Sequence, residues 1–518
     1  MRQHTAVEYK EYLEARGQQV TIWDPHNQWQ SLKHKPVEHL TYDSRQVRPG
    51  TLFVCKGVAF KKTYLLDSAA AGATLYVSET AYDAPIPGLI VTNIRQAMPL
   101  LADLFFHSPQ KKLTLIGVTG TKGKTTTVIF LKSILNHYFA QRGDKPVGII
   151  STIGIYDGLN DQPADLTTPE SIVLFSHLAN AVTAGLTHVV IECSSQALKY
   201  NRLDELEFDY GIFLNIDNDH ISPREHSSFA DYLAAKMRLF EISQTAIYSL
   251  DSRAATDVQA AANRCPRHLT FSTLDPSADL FGEVLKNDLA GLSFSVSGAK
   301  GRENHSFHIS QSGRHNLENA LAAVACCRAL GMTDAEIQAG LTAVSVPGRM
   351  EVFYSNDRHI ACIVDFAHNR LSFKAVITGA REVFPDRLLI PVFGTIGERS
   401  FGRGPEMAET IIELGVDFAV ITDDDPGTVP PDAVRRRITQ PLDVAGFPYL
   451  EIAAGRDAAI RAAIEYAGKL ETPCVVLLLG RGDATNMLVG SSKIPYPSDR
   501  EIAEQALDFY NRSSTVTK

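Results

Sequence analysis

The chain has 518 residues, of which 44% are hydrophobic and 21% charged, so its composition is that of a globular protein and excludes a fibrous or largely disordered one. It is too long for a single hydrophobic core, and we expect roughly two to four domains. Its 50 Lys and Arg residues against 59 Asp and Glu give a formal net charge of −9, which excludes a general binder of phosphate backbones, so we expect no nucleic-acid partner.

The cysteines and the N-terminus predict a cytoplasmic protein. The seven cysteines are scattered, odd in number and never in a C-x-x-C spacing, so they indicate neither a disulfide framework nor a zinc site. The first residues, MRQHTAVEYKEYLEARG, have no apolar core, and no apolar run approaches the roughly 20 residues that a spanning helix needs. We therefore expect no membrane association, and we take the chain to be a monomer that acts on small molecules.

The first segment predicts a small α/β domain, which we place at residues 1–108. Between about Leu40 and Asn93, short apolar runs bounded by Gly and Pro predict strands, and YLLDSAAAGA predicts a helix among them. The predicted strands lie in YDSRQVRPGTLFVCKG, ATLYVSE and GLIVTNI.

A glycine-rich turn follows at Leu113 to Leu131, LTLIGVTGTKGKTTTVIFL. An apolar run, such a turn and a helical pattern together predict a phosphate-binding loop (P-loop), because glycines let backbone N–H groups approach phosphate and the helix adds the positive end of its dipole. Val118 stands where the strict motif has glycine, and the alternative is a loop that only connects strand and helix. We expect Lys124 to reach the β- and γ-phosphates and Thr125 to offer its hydroxyl to Mg²⁺. The expected ATP contacts of this loop are Thr119, Gly120, Thr121, Lys122, Gly123, Lys124 and Thr125.

The central segment, placed at residues 109–345, predicts a buried parallel sheet. Apolar, β-branched runs alternate with helical stretches, in PVGIIST, THVVIEC, YGIFLNID and TAIYSLD. Because ligands of open α/β sheets bind beyond the carboxyl ends of the strands, the polar residues that follow these runs are candidate site residues. They are Thr167, Thr168, Glu192, Ser194, Ser195, Asn215, Asp217, Asp219 and His220.

Glu192 and His220 are candidate metal ligands among them. Glu192 could hold Mg²⁺ directly or through water, because hard cations take carboxylate oxygens beside phosphates. A glutamate after a strand is more often a solvated loop charge or a helix cap, and a lone histidine there is usually a hydrogen-bonded, half-buried group. The residues alone leave both alternatives open.

The third segment, placed at residues 346–518, repeats the alternation of strands and helices. Its apolar runs lie in ACIVDFAH, LLIPVFGTIG, FAVITDDDPG and CVVLLLGRGD. The sequence thus predicts an α/β protein of three domains, with a P-loop ATPase domain between a smaller N-terminal domain and a Rossmann-like C-terminal domain.

Several stretches together carry a family resemblance: GVTGTKGKTTT, TTPES, IECSSQALKYNRLDELEFDYGIFLNIDNDH, DYLAAKMRLF, GRHNLENALAAVA, VPGRMEVF and VDFAH. They occur in the order, and at nearly the spacing, of the Mur ligases, and the chain resembles the MurE type of that family from about Asp43 to PSDREIAEQAL. That type adds the third residue, a diamino acid, to UDP-N-acetylmuramoyl-L-alanyl-D-glutamate during peptidoglycan synthesis.

The resemblance implies an amide-forming reaction that uses ATP and Mg²⁺. ATP phosphorylates the substrate carboxylate, and the incoming amine attacks the acyl phosphate to give the amide, ADP and phosphate. Catalytic roles would fall to Lys124, Lys236, His220 and Glu192, and the metal would be held by Thr125, Glu192, His220 and Lys236. Lys236 would act as a carbamate (N6-carboxylysine), although its sequence context alone is that of an ordinary helical lysine.

The same resemblance assigns binding residues in all three domains. It implies that Ser44, in the N-terminal domain, binds the uridine part. The rest of the nucleotide sugar would be held by Thr167, Thr168, Ser194 and Arg202. Further ATP contacts would be Asn316, Arg349 and Asp365, which otherwise would be a helix cap, a surface arginine and a strand-end aspartate.

Two places near the expected metal site depart from the family pattern. Gln196 stands where the family usually has histidine, and Tyr200 where it often has glutamine. Between His220 and Lys236 the chain carries about two more residues than usual, in ISPREHSSFADY, so the local geometry there cannot be carried over.

The motif that selects the amine also departs. Members that add meso-diaminopimelate have Asp-Asn-Pro-Arg, where arginine clamps the extra carboxylate, but this chain has Asp424, Asp425, Pro426 and Gly427. Burying the second carboxylate without that cation would cost several kcal/mol, so we expect L-lysine, with L-ornithine, meso-diaminopimelate or another amine as the alternative. Asp424 and Asp425 could pair with the lysine ammonium, or could simply set a turn. Arg399 could bind the α-carboxylate of the amino acid.

Two other functions remain open from the sequence. Folylpolyglutamate synthase shares the P-loop and the central domain, but the N-terminal stretch YDSRQVRPGTLFV argues against it. A P-loop nucleotide switch or regulatory ATPase would make no amide, and its ATP hydrolysis would not respond to any amino acid.

Overall fold

The structure is a computed structural model, and it describes residues 3–57, 59–222, 225–288, 290–298, 302–342, 344, 348–397 and 401–516, with only the backbone of residues 302, 303 and 514–516. Arg399 and the predicted domain boundary at residues 345 and 346 therefore lie outside the described residues.

A five-stranded sheet forms the N-terminal part. Its strands are β1 (Val20–Trp23), β2 (His39–Thr41), β3 (Thr51–Val54), β4 (Ala73–Ser78) and β5 (Gly88–Val91). They lie in the order β1-β5-β4-β3-β2, with β1 antiparallel to β5 and the others parallel. The helices of this part are α1 (Ala6–Ala15), α2 (Trp29–Leu32), α3 (Lys62–Ala70) and α4 (Ile94–Phe105), with a short 3₁₀ helix at Ser44–Gln46.

The central part is built on a sheet of eleven described strands. They are β6 (Thr114–Thr119), β7 (Gly148–Ser151), β8 (Gly154–Tyr156), β9 (Asp161–Gln162), β10 (His188–Glu192), β11 (Phe208–Phe213), β12 (Ser243–Ser249), β13 (Arg267–Ser272), β14 (Leu280–Asp288), β15 (Gly291–Gly298) and β16 (Arg302–Ile309). The P-loop strand β6 lies between β10 and β11 and is parallel to both. The carboxyl ends of three strands therefore converge beside the P-loop.

Seven helices cover this sheet within the described residues: α5 (Lys124–Ala140), α6 (Ser171–Ala184), α7 (Ser195–Lys199), α8 (Phe229–Glu241), α9 (Ala255–Ala262), α10 (His315–Ala329) and α11 (Asp334–Thr342). A 3₁₀ helix at Pro109–Lys112 precedes the sheet. The strand β6 is buried almost throughout because both of its faces are covered, which explains its continuous apolar run.

The C-terminal part has a six-stranded sheet of β17 (Glu351–Tyr354), β18 (Ile360–Asp365), β19 (Leu388–Phe393), β20 (Ala419–Ile421), β21 (Tyr449–Glu451) and β22 (Cys474–Leu479). Strands β18 to β22 are parallel, and β17 is antiparallel to β18. A hairpin, β23 (Asn486–Val489) and β24 (Ser492–Pro495), follows. The helices are α12 (Arg370–Val383), α13 (Arg403–Glu413), α14 (Pro431–Ala445), α15 (Arg456–Ala467) and α16 (Asp499–Val516).

The predicted α/β class is confirmed, and each apolar run named above contains a strand of one of the three sheets. The antiparallel strands β15 and β16, which extend the central sheet beyond its parallel portion, were not predicted from the sequence. In the described part of the chain, no helix is both long and apolar enough to cross a membrane.

Candidate active site

One cavity of about 890 Å³ lies where the carboxyl ends of the central strands face those of the C-terminal sheet. Most residues singled out from the sequence line it: Thr121, Lys122, Gly123, Lys124, Thr125, Thr167, Thr168, Glu192, Ser194, Arg202, His220, Lys236, Asn316, Arg349, Asp365, Asp424 and Asp425. The fold thus brings residues of two sheets into one space.

The P-loop occupies the floor of this cavity. Val118 lies inside β6, so the loop begins after Thr119 and helix α5 begins at Lys124. Gly123 has a φ of 84°, and a Cβ there would lie 2.0 Å from Asn319 Oδ1, so only glycine fits. Thr119 is buried and donates its hydroxyl to the Cys193 carbonyl, which makes it a structural residue of the loop.

Two lysines converge on the carbonyl of Gly120. Lys124 Nζ donates to this oxygen over 3.0 Å, and the Lys236 Nζ over 2.7 Å. The Lys236 side chain is 1% exposed, and burial together with the nearby Lys124 lowers its pKa well below the usual value. A lowered pKa favours the neutral, nucleophilic form of the amine, which is the form that carbamate formation requires.

Glu192 and Thr125 form a set of oxygen donors beside the P-loop. The Thr125 hydroxyl lies 3.1 Å from Glu192 Oε2, which also accepts from the Ser151 hydroxyl over 2.7 Å and from the Thr152 backbone N–H over 3.2 Å. Glu192 is 2% exposed, so these contacts fix its direction. A hydroxyl and a carboxylate next to a phosphate loop fit Mg²⁺, which takes few protein ligands and completes its shell with phosphate and water.

The described residues contain no group of three or more His, Cys, Asp or Glu that could hold a metal by themselves. Besides Glu192 and His220, the metal ligands that the resemblance implies are therefore the Thr125 hydroxyl and the carbamate of Lys236, and substrate oxygens would complete the coordination. His220, another of these implied ligands, lines the cavity, and its Nδ1 lies 2.9 Å from Glu225 Oε1.

A buried cluster of charges joins the central and C-terminal parts. Asp219 accepts from Arg403 Nη2 over 2.7 Å and from Asn369 Nδ2 over 2.8 Å, and it lies 3.6 Å from Lys122 Nζ. Burial alone would raise the pKa of Asp219, but Lys122 and Arg403 hold it well below its usual range. Burial lowers the pKa of Lys122 to about 8. His368 Nε2 lies 3.2 Å from the same lysine.

The candidate nucleotide-sugar residues Thr168, Ser194 and Arg202 line the cavity next to Glu192. Thr168 donates its hydroxyl to the Glu192 carbonyl and accepts from the Ser194 backbone N–H. Arg202 donates to the Thr168 carbonyl over 3.1 Å and pairs with Glu170 over 2.9 Å, and Glu170 also binds Lys56 of the N-terminal part. Ser44 lies in its 3₁₀ helix and does not line this cavity.

The cavity is also lined by Asn316 of helix α10, by Arg349, which precedes strand β17, and by Asp365 at the end of strand β18. Asn316 Nδ2 donates to the Ser312 carbonyl over 2.8 Å. Asp365 accepts the backbone N–H of Met350 and of Ala367, and burial raises its pKa.

The candidate amine end contains a cation that the sequence analysis missed. Arg481 Nη1 donates to Asp424 Oδ1 over 2.7 Å and to Asp425 Oδ1 over 3.0 Å. Asp424 is buried, whereas the Asp425 side chain is 35% exposed. One arginine thus pairs with both aspartates.

Other contacts of the site were also missed. Asn369 caps helix α12 with its side chain, and Arg403 opens helix α13, so both could have been read from the sequence only as helix-terminal residues. Glu225 lies in the longer segment after His220, whose geometry could not be carried over from the family pattern. No motif of fixed spacing in the sequence indicates that these residues contact Asp219 or His220.

Two family models match the central and C-terminal parts of the chain. A family model described as the Mur ligase middle domain matches residues 118–327, and one described as "Mur ligase, glutamate ligase domain" matches residues 348–482.

Curated relatives match nearly the whole chain, and a solved structure shares its fold. The chain is similar to UDP-N-acetylmuramoyl-L-alanyl-D-glutamate--L-lysine ligase of Enterococcus faecalis, with 36% identity over 97% of this chain and 96% of the relative. It is 33% identical to the protein of that name from Streptococcus pyogenes, over 96% of this chain and 97% of the relative. A structure of UDP-N-acetylmuramoyl-L-alanyl-D-glutamate--2,6-diaminopimelate ligase superimposes with a TM-score of 0.63 at 24% identity, covering 92% of this chain and 96% of that one.

Proposed function

The chain belongs to the Mur ligase family, and from that premise we propose that it is an ATP-dependent ligase that joins L-lysine to UDP-N-acetylmuramoyl-L-alanyl-D-glutamate. The observation that carries the proposal is that one cavity is lined by the P-loop, by Arg202 and by Asp425 together. Three reactants, namely a nucleotide, an anionic nucleotide sugar and a cationic amine, could meet in it. The reaction belongs to the synthesis of peptidoglycan precursors in the cytoplasm.

In the first step, a carboxylate oxygen of the D-glutamate residue attacks the γ-phosphorus of ATP and displaces ADP. Both reactants are anions, so the site has to supply positive charge, which Lys124, the end of helix α5 and a bound Mg²⁺ would provide. Thr125 and Glu192 would hold the Mg²⁺, which screens the phosphates.

In the second step, the neutral amine of lysine attacks the acyl carbon, and phosphate leaves. Before this attack, the site has to bind the amino acid, and the reacting amine of the amino acid has to lose a proton. Asp424, Asp425 and Arg481 line the same cavity, and two carboxylates that share one arginine would favour the second ammonium of L-lysine over the second carboxylate of meso-diaminopimelate.

Each of the three domains would bind a different part of the substrates. Residues 1–108 would bind the uridine part, residues 109–345 would bind ATP, and residues 346–518 would bind the amino acid. The contact from Lys56 through Glu170 to Arg202 links the first of these to the cavity and supports a nucleotide sugar that bridges the two parts.

The test is phosphate release with ATP, Mg²⁺ and UDP-N-acetylmuramoyl-L-Ala-D-Glu, run in parallel with L-lysine, L-ornithine and meso-diaminopimelate. Release that depends on L-lysine, together with the tripeptide product by mass spectrometry, is the expected result. Phosphate release only with meso-diaminopimelate would refute L-lysine as the substrate. Phosphate release at the same rate with and without each amino acid would refute the ligase activity.

A further inference from the structure

The segment after strand β11 folds back on itself. The His226 backbone N–H donates to the His220 carbonyl over 3.1 Å, and the Ser222 N–H donates to the His226 carbonyl over 3.0 Å. The Glu225 N–H donates to the Ser222 carbonyl over 3.1 Å. These contacts return Glu225 to the side of His220, from which the chain has just come.

Glu225 connects this segment to helix α7. Glu225 Oε1 lies 2.9 Å from His220 Nδ1 and accepts from Gln196 Nε2 over 3.3 Å, and the residue is only 8% exposed. Lys199 Nζ donates to the Glu225 carbonyl over 3.0 Å. Two of the departures noted in the sequence, Gln196 and the longer segment after His220, are therefore in direct contact.

The neighbouring histidine anchors the segment. His226 is fully buried, and its Nε2 lies 3.0 Å from the Ser195 hydroxyl. Both Glu225 and His226 thus bind the first turn of α7, which follows strand β10 and Glu192. Glu225 is therefore held both by its own contact with Gln196 and by the contact of the adjacent His226 with Ser195.

The two ring nitrogens of His220 have different surroundings. Nδ1 faces Glu225, whereas Nε2 lies 4.0 Å from Asp219 Oδ2, beyond hydrogen-bond distance, and meets no hydrogen-bond partner among the described residues. His220 lines the cavity, and its side chain is 36% exposed.

We propose that Glu225 is a positioning residue that holds His220 with its proton on Nδ1 and its Nε2 lone pair directed at a divalent cation in the cavity. This proposal rests on the proposed function only for the identity of the cation, Mg²⁺. An ionised carboxylate can only accept a hydrogen bond, so Nδ1 has to donate. In a neutral ring Nε2 is then the acceptor, and such outer carboxylates fix the tautomer and the direction of histidine ligands. Gln196 holds the carboxylate in place.

The first test reads the tautomer in the metal-free protein. Two-bond ¹H–¹⁵N correlation spectra of the ¹⁵N-histidine-labelled chain resolve the ring nitrogens, and His220→Gln identifies the signal among the 16 histidines. We expect the Nδ1–H form in the wild type and a shift towards the Nε2–H form in Glu225→Ala. An Nε2–H form in the wild type, or the same tautomer in Glu225→Ala, would overturn the proposal.

The second test measures cation affinity with Mn²⁺ alone, followed by EPR. Glu225→Ala should weaken Mn²⁺ binding roughly 10- to 100-fold, and Gln196→Ala should have a smaller effect in the same direction. Equal affinity of the wild type and Glu225→Ala would overturn the proposal. Glu241→Ala is the matched control, because Glu241 lies exposed at the end of helix α8 and should leave both readouts unchanged.

A variant that unfolds is replaced by Glu225→Gln, which keeps the size of the side chain and loses its charge. It should give a mixture of tautomers, since an amide can donate as well as accept. Neither readout needs a ligase substrate. A chain that shows the expected tautomer but no lysine-dependent release would refute only the proposed function, and the opposite result would refute only the role of Glu225.

Discussion

Arg403 Nη2 lies 2.7 Å from Asp219 Oδ1, and both residues are 8% exposed. Asp219 follows strand β11 of the central sheet, whereas Arg403 opens helix α13 of the C-terminal part. On its other side Asp219 faces Lys122 of the P-loop. A single carboxylate therefore lies between two cations that different parts of the chain contribute, and it links the C-terminal part to the P-loop.

We predict that Asp219→Ala impairs turnover more than Arg403→Met does. Removing the carboxylate leaves Lys122 and Arg403 buried and facing each other without a counter-charge, and breaking a buried ion pair from one side costs about 3–5 kcal/mol. Turnover should fall at least about 10-fold, and the radius of gyration from small-angle scattering should increase. In Asp219→Ala/Arg403→Met one of the two cations is absent, so part of the loss should be recovered.

Additive effects of the two substitutions would contradict this coupling. Arg370→Met is the control, because Arg370 makes its ion pair with Glu413 on the surface, where such pairs contribute little.

Lys124→Ala should abolish turnover. Its ammonium lies at the start of helix α5, where it now donates to the Gly120 carbonyl and can turn to a phosphate. Loss of one cation that stabilises the charge of phosphoryl transfer lowers kcat by about 100-fold or more. Phosphate release is the measurement, with Lys132→Ala in the same helix as the control. Normal activity of Lys124→Ala would contradict its role.

Lys236→Ala should lose activity and regain part of it when formate or acetate is added. The side chain is 1% exposed beside Lys124, which favours its neutral amine, and uptake of CO₂ with loss of a proton would turn that amine into a carbamate anion next to the Lys124 cation. A small carboxylate can take the place of that anion. Lys236→Arg, which fills the same space with a permanent cation, should not be rescued. A Lys236→Ala enzyme with full activity would refute the carbamate.

The sequence predicted most of the framework of this site. The runs around Val118, Glu192 and Asn215 are apolar because their strands are covered on both faces, so strand ends and the polar residues beyond them could be read directly. The turn at Gly123 could also be predicted, because the backbone there needs a glycine.

What the sequence did not predict are contacts between distant segments. Arg481 and Asp424 are 57 residues apart, and Asn369 and Asp219 are 150 residues apart. Neither pair has a fixed spacing, because it depends on how two sheets pack against each other. The sequence suggested for Asp424 and Asp425 either a pair with the lysine ammonium or a turn, whereas Arg481 binds both.

Asp425→Asn should weaken binding of L-lysine. Arg481 balances one of the two aspartates, so the substitution removes the remaining negative charge that would attract an ammonium. The KM for L-lysine should rise about 10-fold, the equivalent of about 1.4 kcal/mol, while the KM for ATP stays unchanged. Asp432→Asn, in the first turn of helix α14, is the control. An unchanged KM for L-lysine would mean that the amine binds elsewhere.

The stability of the central part should depend on pH through Asp157. Its carboxylate accepts from His177 Nδ1 over 2.7 Å and from Asn180 Nδ2 over 2.8 Å. Burial alone would raise the pKa of Asp157, but these contacts and those from Asn160 lower it to about 2, from an ordinary value of 3.8. Because the folded-state pKa is the lower one, the stabilisation is complete above 3.8 and is lost as the pH falls towards 2.

Asp157→Asn should therefore lower the free energy of unfolding by about 2 kcal/mol at pH 7, since each pKa unit corresponds to about 1.4 kcal/mol. The difference between variant and wild type should shrink as the pH is lowered from 4 to 2, as measured by urea unfolding at each pH. Asp161→Asn, at an exposed position on strand β9 nearby, should show no such dependence. A difference that stays constant with pH would mean that Asp157 stabilises the fold by its shape and not by its charge.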